Sequence, residues 1–448
     1  MKTDNTTQRP TEQTGGHPTV PRRPQTGGHP TVPRRPQTGG YPVVAPSLAT
    51  LCLLAAALLS LATLAGCSDD AEQDTCADNP SAATCADAGL DVTDTGEEPV
   101  VASCLVISAQ GSESGAIAVL DLDTLEVEAD LTSTHRDARI LVNDGDVYVI
   151  NRLGADNVQK LTPGSWSTAW QRSVGTGANP YDIAFDGDRA WVVLFGDGAV
   201  AELDLAATSA AAFLTGERVD VPLGPLDGTR SEPVAIARHE GTLLVLTQQI
   251  GDDYQCADGA QGIIYAFDAD TLEPAAFFGE ATSLALDTCN PGGWIVEDDA
   301  LIVQSVGGYR ISGNTDDDGA VERVDLTTGE ATVLFRESDV EDGLDTYALY
   351  PGAAGYWLVA AGDDFQALTL HRVTVNGSTV TVSDRIYSGA IWGLHEHDGR
   401  LFLSERRADG AGIVVLDAAT GEAITDEPID TGFPPRGVAA VEVSGGCF

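Results

Sequence analysis

Residues 179–205 read NPYDIAFDGDRAWVVLFGDGAVAELDL, and this stretch indicates the fold class. It contains three short runs of strand-forming residues: Ile183–Phe185, Ala190–Phe195 and Val200–Leu205. The triplets Asp186-Gly187-Asp188 and Gly196-Asp197-Gly198 separate these runs, and both are typical of tight turns. Apolar runs separated by turn residues predict an antiparallel β-meander.

Degenerate copies of this unit recur along the chain. The turn pattern Asp-x-x-Thr-x-Glu begins at four positions: Asp121, Asp268, Asp325 and Asp417. Their spacings fit three, one and two periods of roughly 49 residues, close to the ~40–50 residues of a propeller blade. A proline near the start of a unit gives an independent count from four positions: Pro180, Pro233, Pro291 and Pro435. Both series predict an all-β, seven-bladed β-propeller between about residue 101 and the C-terminus.

Each end of the repeat region holds only part of a unit. Residues 101–108 form a second strand without a first one, and Pro435–Val443 forms an opening strand with nothing after it. Pairing these two strands would complete blade one and leave no free sheet edge at the ring seam. The other six blades are then expected to open near Arg139, Tyr181, Val234, Gly292, Thr346 and Trp392.

Three further segments precede the predicted propeller domain, which we place at 101–448. Residues 1–46 are polar, and TGGHPTVPRRPQ occurs at 14–25 and again at 26–37; this composition predicts a disordered basic n-region. Residues 47–66, SLATLCLLAAALLSLATLAG, have the apolar character of a signal-peptide h-region. Residues 67–100 contain ten acidic residues and neither Lys nor Arg, which predicts a flexible acidic tether.

The four residues Leu64-Ala65-Gly66-Cys67 resemble the bacterial lipobox. The resemblance implies cleavage before Cys67 and lipidation of its thiol, and two or more acyl chains hold a protein stably on a membrane. We therefore expect a lipid-anchored protein of the bacterial cell envelope that faces the periplasm or the exterior, on the outer rather than the inner membrane. The alternative is an uncleaved transmembrane anchor, because about 20 apolar residues suffice to span a bilayer.

The charge of the chain restricts its partners. The full sequence contains 24 Lys and Arg against 68 Asp and Glu, and six of the basic residues lie before residue 67. A surface of this sign repels nucleic acid and anionic lipid, so we expect no nucleic-acid partner. The expected partners are a membrane, through the lipid anchor, and a protein or small-molecule ligand.

Six cysteines follow Cys67, an even number that suggests disulfides in an exported chain. Antiparallel pairing of the terminal strands would bring Cys104 and Cys447 together. Cys76 and Cys85 lie in one short tether loop, which leaves Cys256 and Cys289 for each other.

One loop has the ligand order of a calcium site. In Asn314-Thr-Asp-Asp-Asp-Gly-Ala-Val-Glu322, the expected ligands are Asn314, Asp316, Asp318, the Ala320 carbonyl and Glu322. The loop resembles those of integrin α-subunit propellers, and the alternative is a solvated acidic hairpin tip. We expect calcium as a ligand and no other cofactor.

A ligand is expected at the mouth of the ring where the blades open. The charged or aromatic residues near the openings are Arg139, Tyr181, Glu232, Asp345, Trp392 and Arg436. His395 and His397 share one face of a strand, since residues i and i+2 point to the same side, and they could form a metal or acid–base pair.

The blade pattern resembles YVTN-type and quinoprotein-like bacterial propellers. Val415-Leu-Asp-Ala-Ala-Thr-Gly-Glu422 is similar to repeats of pyrroloquinoline-quinone dehydrogenases, but Ile424-Thr-Asp426 stands where those repeats have a tryptophan. The sequence therefore favours a ligand- or protein-binding scaffold over an enzyme. The alternative is a propeller enzyme, such as a lactonase-like hydrolase, a lyase or a quinoprotein-like oxidoreductase.

The lipobox resemblance makes a direct prediction. Cys67→Ala should abolish incorporation of labelled fatty acid and release the chain from the membrane fraction, because the substitution removes the acylated thiol. Persistent membrane insertion of the variant would instead establish a transmembrane anchor.

Overall fold

The computed structural model describes residues 101–223, 231–250, 255–314, 317–340, 344–362, 367–377 and 379–448. These residues form seven antiparallel sheets arranged as the blades of a β-propeller, as the repeat predicts. The predicted n-region, signal peptide and tether, and with them Cys67, Cys76 and Cys85, lie outside the described residues. No helix in the described ranges is both long and apolar enough to cross a membrane.

The first four blades contain the following strands. Blade one combines β1 (Val101–Gln110), β2 (Gly115–Asp121) and β3 (Val127–Thr134) with a strand from the end of the chain. Blade two contains β4 (Ala138–Asn143), β5 (Asp146–Asn151), β6 (Asn157–Thr162) and β7 (Ser167–Ser173). Blade three contains β8 (Pro180–Asp186), β9 (Arg189–Leu194), β10 (Ala199–Asp204), the short helix α1 (Ala210–Phe213) and β11 (Leu214–Asp220). Blade four contains β12 (Glu232–His239), β13 (Thr242–Gln248), β14 (Ile263–Asp268) and β15 (Ser283–Ala285).

The remaining strands complete the ring. Blade five contains β16 (Pro291–Val296), β17 (Ala300–Ser305), β18 (Ala320–Asp325) and β19 (Ala331–Arg336), with 3₁₀ turns at Arg310–Ser312 and Glu337–Asp339. Blade six contains β20 (Asp345–Gly352), β21 (Gly355–Ala361), β22 (Leu368–Asn376), β23 (Thr379–Val382) and β24 (Tyr387–Gly389). Blade seven contains β25 (Ile391–His397), β26 (Arg400–Glu405) and β27 (Gly412–Asp417), and the last strand, β28 (Pro435–Ser444), belongs to blade one. The six openings fall one or two residues before the predicted positions.

The ring is closed by the predicted pairing of its two terminal strands. β28 runs antiparallel to β1 from Val101 opposite Ser444 to Ala109 opposite Pro435, and it is the innermost strand of blade one. Cys104 and Cys447 form a disulfide across this pair, with their Cα atoms 5.6 Å apart. The Trp166 indole of blade two donates a 2.7 Å hydrogen bond to the Cys447 carbonyl, so the C-terminus is tied to two blades. Cys256 and Cys289 form the second predicted disulfide.

The repeated aspartate turn has one structural role in each blade where it occurs. Asp121 Oδ1 accepts hydrogen bonds from the backbone N–H groups of Asp123 and Thr124, at 3.0 and 2.8 Å. Asp268, Asp325 and Asp417 accept the equivalent pairs of bonds. These bonds favour the ionised carboxylates and lower the pKa of Asp325 to about 2. The motif is thus a structural turn that directs one blade strand into the next.

The core lies between neighbouring blades. Trp191 on β9 is fully buried in a cluster with Leu243 of blade four, whereas the adjacent Val192 lies in a cluster with Ile150 of blade two. Successive residues of a strand point to opposite faces of the sheet, and a strand that lies between two neighbouring blades is covered on both faces. Such a strand therefore needs apolar residues at nearly every position. This explains the continuous apolar runs in the sequence.

The seam disulfide gives a stability prediction. Replacing both Cys104 and Cys447 with Ser should lower the free energy of unfolding by roughly 2–5 kcal/mol, because the bridge closes a chain loop of 343 residues. Urea unfolding under oxidising conditions measures the change. The matched control replaces Cys256 and Cys289, whose loop of 33 residues should contribute less. Equal unfolding midpoints for the seam variant and the wild type would contradict the role given to this bridge.

Candidate functional site

A cavity of about 400 Å³ lies at one mouth of the ring, where the innermost strands begin. Its walls come from blades one, two, three, five, six and seven. The strands β28, β4, β8, β16, β20 and β25 each contribute residues from at or near their first positions. Six blade openings also carry a β-bulge or register shift, for example between Thr346 and Ala348 and between Ile391 and Leu394. A bulge re-aims the side chains that follow it.

The centre of the site is a buried carboxylate held by two arginines. Asp137 precedes β4, and only 4% of its surface is exposed. Its Oδ2 lies 3.2 Å from Nη2 of Arg152, which comes from the loop after β5, and its Oδ1 contacts Nη1 of Arg436 on β28. A buried carboxylate is stable only when it is paired, so these contacts fix both guanidinium groups at the cavity wall.

Aromatic rings support the arginines. The Arg152 guanidinium carbon lies 3.7 Å from the centre of the Tyr181 ring, and Trp392 also lines the cavity. Arg406 and Arg436 lie 5.1 and 5.8 Å from the Trp392 ring, within the range of cation–π attraction. Tyr347 contacts Trp392 edge-on. These contacts hold the cationic groups in place without neutralising them.

The mouth carries excess positive charge. Arg139 completes the arginine group, and it lies 3.6 Å from Asp182 and donates to the Tyr181 carbonyl at 3.1 Å. Three guanidinium groups, those of Arg139, Arg152 and Arg436, therefore line the cavity, with the carboxylates of Asp137 and Asp182 as their ion-pair partners. Burial, and to a lesser extent the nearby Arg436, lowers the pKa of Arg406, which lies against the Trp392 ring. The chain as a whole has a net charge of −44, so the mouth is a local reversal of sign on an acidic protein.

Two tyrosines add hydroxyl groups to the cavity lining. Burial raises the pKa of Tyr347 and of Tyr350, so both phenols remain protonated at neutral pH. The Tyr350 hydroxyl donates to the Trp392 carbonyl at 3.5 Å, a long and weak hydrogen bond. The cavity thus offers neutral hydroxyl groups beside fixed cations.

The structure places only some of the predicted mouth residues in the cavity lining. Arg139, Tyr181, Trp392 and Arg436 line the cavity, whereas Glu232 and Asp345 do not. Asp345 is buried against Arg310, whose backbone N–H donates to it at 2.9 Å and whose Nε lies 3.1 Å away. Further residues that were not predicted from the sequence also line the cavity: Asp137, Arg152, Trp294, Gln304, Tyr347 and Tyr350. Asp137 and Tyr347 each lie within two positions of the first residue of a blade. A search for polar or aromatic residues at such positions would have included both.

Two of the predicted calcium ligands, Asn314 and Asp318, contact each other, whereas Glu322 has other partners. Asn314 donates from Nδ2 to Asp318 Oδ1 at 3.0 Å, and the Gly308 N–H donates to the same oxygen. Glu322 is buried in β18, where its carboxylate accepts from the Asp287 N–H at 2.8 Å and from the Thr288 hydroxyl at 3.1 Å. Ala320 is the first residue of β18, and Asp316 lies outside the described residues. Calcium binding here stays a prediction.

The two predicted histidines lie on one face of β25, with ring centres 6.4 Å apart. They occupy the end of the strand that is remote from the cavity, since Trp392 and Gly393 near its other end line the mouth. The histidine pair and the arginine mouth are therefore separate features.

Comparisons with known proteins identify the fold. The periplasmic gluconolactonase of Pseudomonas aeruginosa superposes with a TM-score of 0.55 at 13% sequence identity, over 76% of this chain and 99% of that one. A protein from Bacteroides fragilis, provisionally assigned as a 6-phosphogluconolactonase, gives a TM-score of 0.52 at 13% identity, over 78% and 99% of the chains. A Lactobacillus plantarum protein gives 0.54 at 15% identity, over 76% and 100%.

These similarities at low identity show a shared seven-bladed propeller fold. No protein-family model and no curated protein matches the chain. The resemblance to YVTN-type and quinoprotein-like repeats stays a prediction.

Proposed function

We propose that the protein is a propeller hydrolase that opens the lactone ring of a polyhydroxylated acid in the axial cavity. The observation that carries the proposal is the convergence of Arg139, Arg152 and Arg436 on one cavity of a strongly acidic chain. The fold adds support, because propellers of this shape include proteins named as gluconolactonase and 6-phosphogluconolactonase. The enzyme alternative is thereby favoured over the binding scaffold that the sequence suggested.

Lactone hydrolysis develops negative charge that this cavity suits. Water adds to the ring carbonyl carbon, the carbonyl oxygen becomes an oxyanion, and the ring C–O bond then breaks to give a hydroxyl group and a carboxylate. Fixed cations that face the developing oxyanion stabilise it most where bulk water is excluded. Arg436 is the best fixed of these cations, since it contacts both Asp137 and the Trp392 ring.

The other lining residues have separate roles in the proposed reaction. Asp137 orients both Arg152 and Arg436 through its ion pairs with them. The Tyr347 hydroxyl, kept protonated by burial, can donate to the ring oxygen as the C–O bond breaks. The rings of Tyr181 and Trp392 offer apolar faces for the carbon skeleton of the substrate.

The cellular location of the protein is part of the proposal. The lipobox-like residues at 64–67 and the seam disulfide both suit an exported, lipid-anchored protein of the bacterial cell envelope. The reaction would then take place on a substrate outside the cytoplasm.

A second candidate is a propeller that binds the acid without turnover. Both oxygens of Asp137 face guanidinium groups, and no histidine is among the described residues that line the cavity. This arrangement favours holding a carboxylate over activating water. The second candidate keeps the binding function that the sequence predicts and places it in the same cavity.

An activity assay tests the proposal. Purified protein should accelerate proton release from glucono-1,5-lactone above the spontaneous rate, and Arg436→Gln should lower kcat/KM by about 10²–10³-fold, the loss typical of removing one oxyanion-stabilising donor. Asp137→Asn should lower kcat through misplacement of both arginines.

The matched control is Arg238→Gln. Arg238 forms an ion pair with Asp186 and has similar exposure, 35% against 27% for Arg436, but it lies toward the far end of β12. This variant should retain full activity. Binding of gluconate without hydrolysis would establish the second candidate, and absence of both binding and hydrolysis would refute the assignment of the cavity.

A further inference from the structure

A second group of functional side chains lies where blade seven meets blade one. Trp392 lines the axial cavity, and His397 follows five residues later on β25, which is roughly 17 Å along an extended strand. The β25–β26 hairpin then turns through Asp398 and Gly399. The aspartate turn after β2 places Asp123 beside this hairpin, with its Oδ1 3.8 Å from Arg400 Nη2.

Three metal-binding donors converge at this junction. Among the described residues, one ligand atom each from Asp123, His397 and Asp398 lie within 4.8 Å of one another. The His397 Nε2 is 3.7 Å from Asp398 Oδ2. Because zinc bonds to imidazole nitrogen and carboxylate oxygen are about 2.0–2.2 Å long, donors on one ion lie roughly 3–3.5 Å apart. The carboxylates of Asp123 and Asp398 are 68% and 77% exposed, so the small rotations that close this gap meet little resistance.

The surroundings leave room for further ligands of a bound ion. A cavity of about 400 Å³ borders Asp398 and extends between blades six and seven, where Arg372 and Trp357 form part of its wall. Glu396 also lines this cavity, but its Oε2 accepts hydrogen bonds from the Trp357 indole at 2.6 Å and from the Ala353 N–H at 3.1 Å. Glu396 is therefore a structural acceptor and leaves the metal to the other three residues.

We propose that Asp123, His397 and Asp398 bind one divalent transition-metal ion, best fitted by zinc, at the seam between blades one and seven. One imidazole with two carboxylates is a donor set that zinc accepts, and water fills the remaining positions at this exposed junction. The ion offsets the repulsion between the two aspartates and displaces Arg400 from Asp123. The site links residues 275 positions apart in sequence, so it adds a metal link to the strand pairing that closes the ring. It is independent of the proposed hydrolase activity.

Zinc binding to the full-length chain tests this site. Protein treated with chelator is dialysed against ZnCl₂, and bound zinc is measured by mass spectrometry alongside the thermal unfolding midpoint. The wild type should bind an ion that Asp123→Asn and His397→Ala bind roughly tenfold or more weakly. Zinc should raise the unfolding midpoint of the wild type more than that of either variant, because it binds the folded seam.

His239→Ala is the matched control, because His239 ends the innermost strand of blade four as His397 ends that of blade seven. The N-terminal region contains His17 and His29, which can also bind zinc. The result is therefore decided by the difference in bound zinc between the wild type and each variant, and not by the total amount of bound zinc. Equal zinc affinity in the wild type, Asp123→Asn and His397→Ala would overturn the proposal. Equal unfolding midpoints of all four proteins in chelator would show that the substitutions act on the metal and not on the fold.

Discussion

The pairing of β28 with β1 is the interaction on which the rest of the structure depends. It makes the last strand of the chain the innermost strand of the first blade, so the ring has no open sheet edge at its seam. The same pairing delivers Arg436 to the axis. Gly393 allows this close approach, because a Cβ there would lie 2.6 Å from the Arg436 carbonyl oxygen. The strand pairing that closes the ring therefore also supplies part of the cavity wall.

The electrostatics of the mouth explain why a ligand would bind there. An acidic surface repels anions in general, so an anion is held only where fixed cations outnumber carboxylates locally. Asp137 makes such a group of cations possible, because it offsets the repulsion between Arg152 and Arg436 while both remain at the cavity wall. Aromatic contacts to Tyr181 and Trp392 stabilise the guanidinium groups without adding negative charge. The proposed anion site of this acidic protein would thus depend on a few buried contacts.

Much of the fold could be predicted from sequence, but less of the site. Turn residues and opening prolines gave the blade positions, and Arg139, Tyr181, Trp392 and Arg436 followed from those positions alone. Tyr347 was missed in favour of Asp345 because a β-bulge after Thr346 shifts the alternation of side chains, which sequence periodicity cannot reveal. Arg152 was missed because it reaches the mouth from the loop after β5, behind the opening strand. Glu322 fitted a calcium pattern in sequence, yet strand β18 buries it beside Thr288.

Hydrogen–deuterium exchange in the presence of sodium gluconate tests the location of the ligand site most directly. Ligand at the axial mouth should slow amide exchange in peptides that contain residues 137–141, 347–350 and 436–438, which come from three blades and meet only there. The Arg436→Gln variant should lose that protection, and the β25–β26 hairpin around His397 should be unaffected in both proteins. Protection confined to that hairpin or to the blade edges, or no protection at saturating gluconate, would contradict the assignment of the arginine mouth as the functional site.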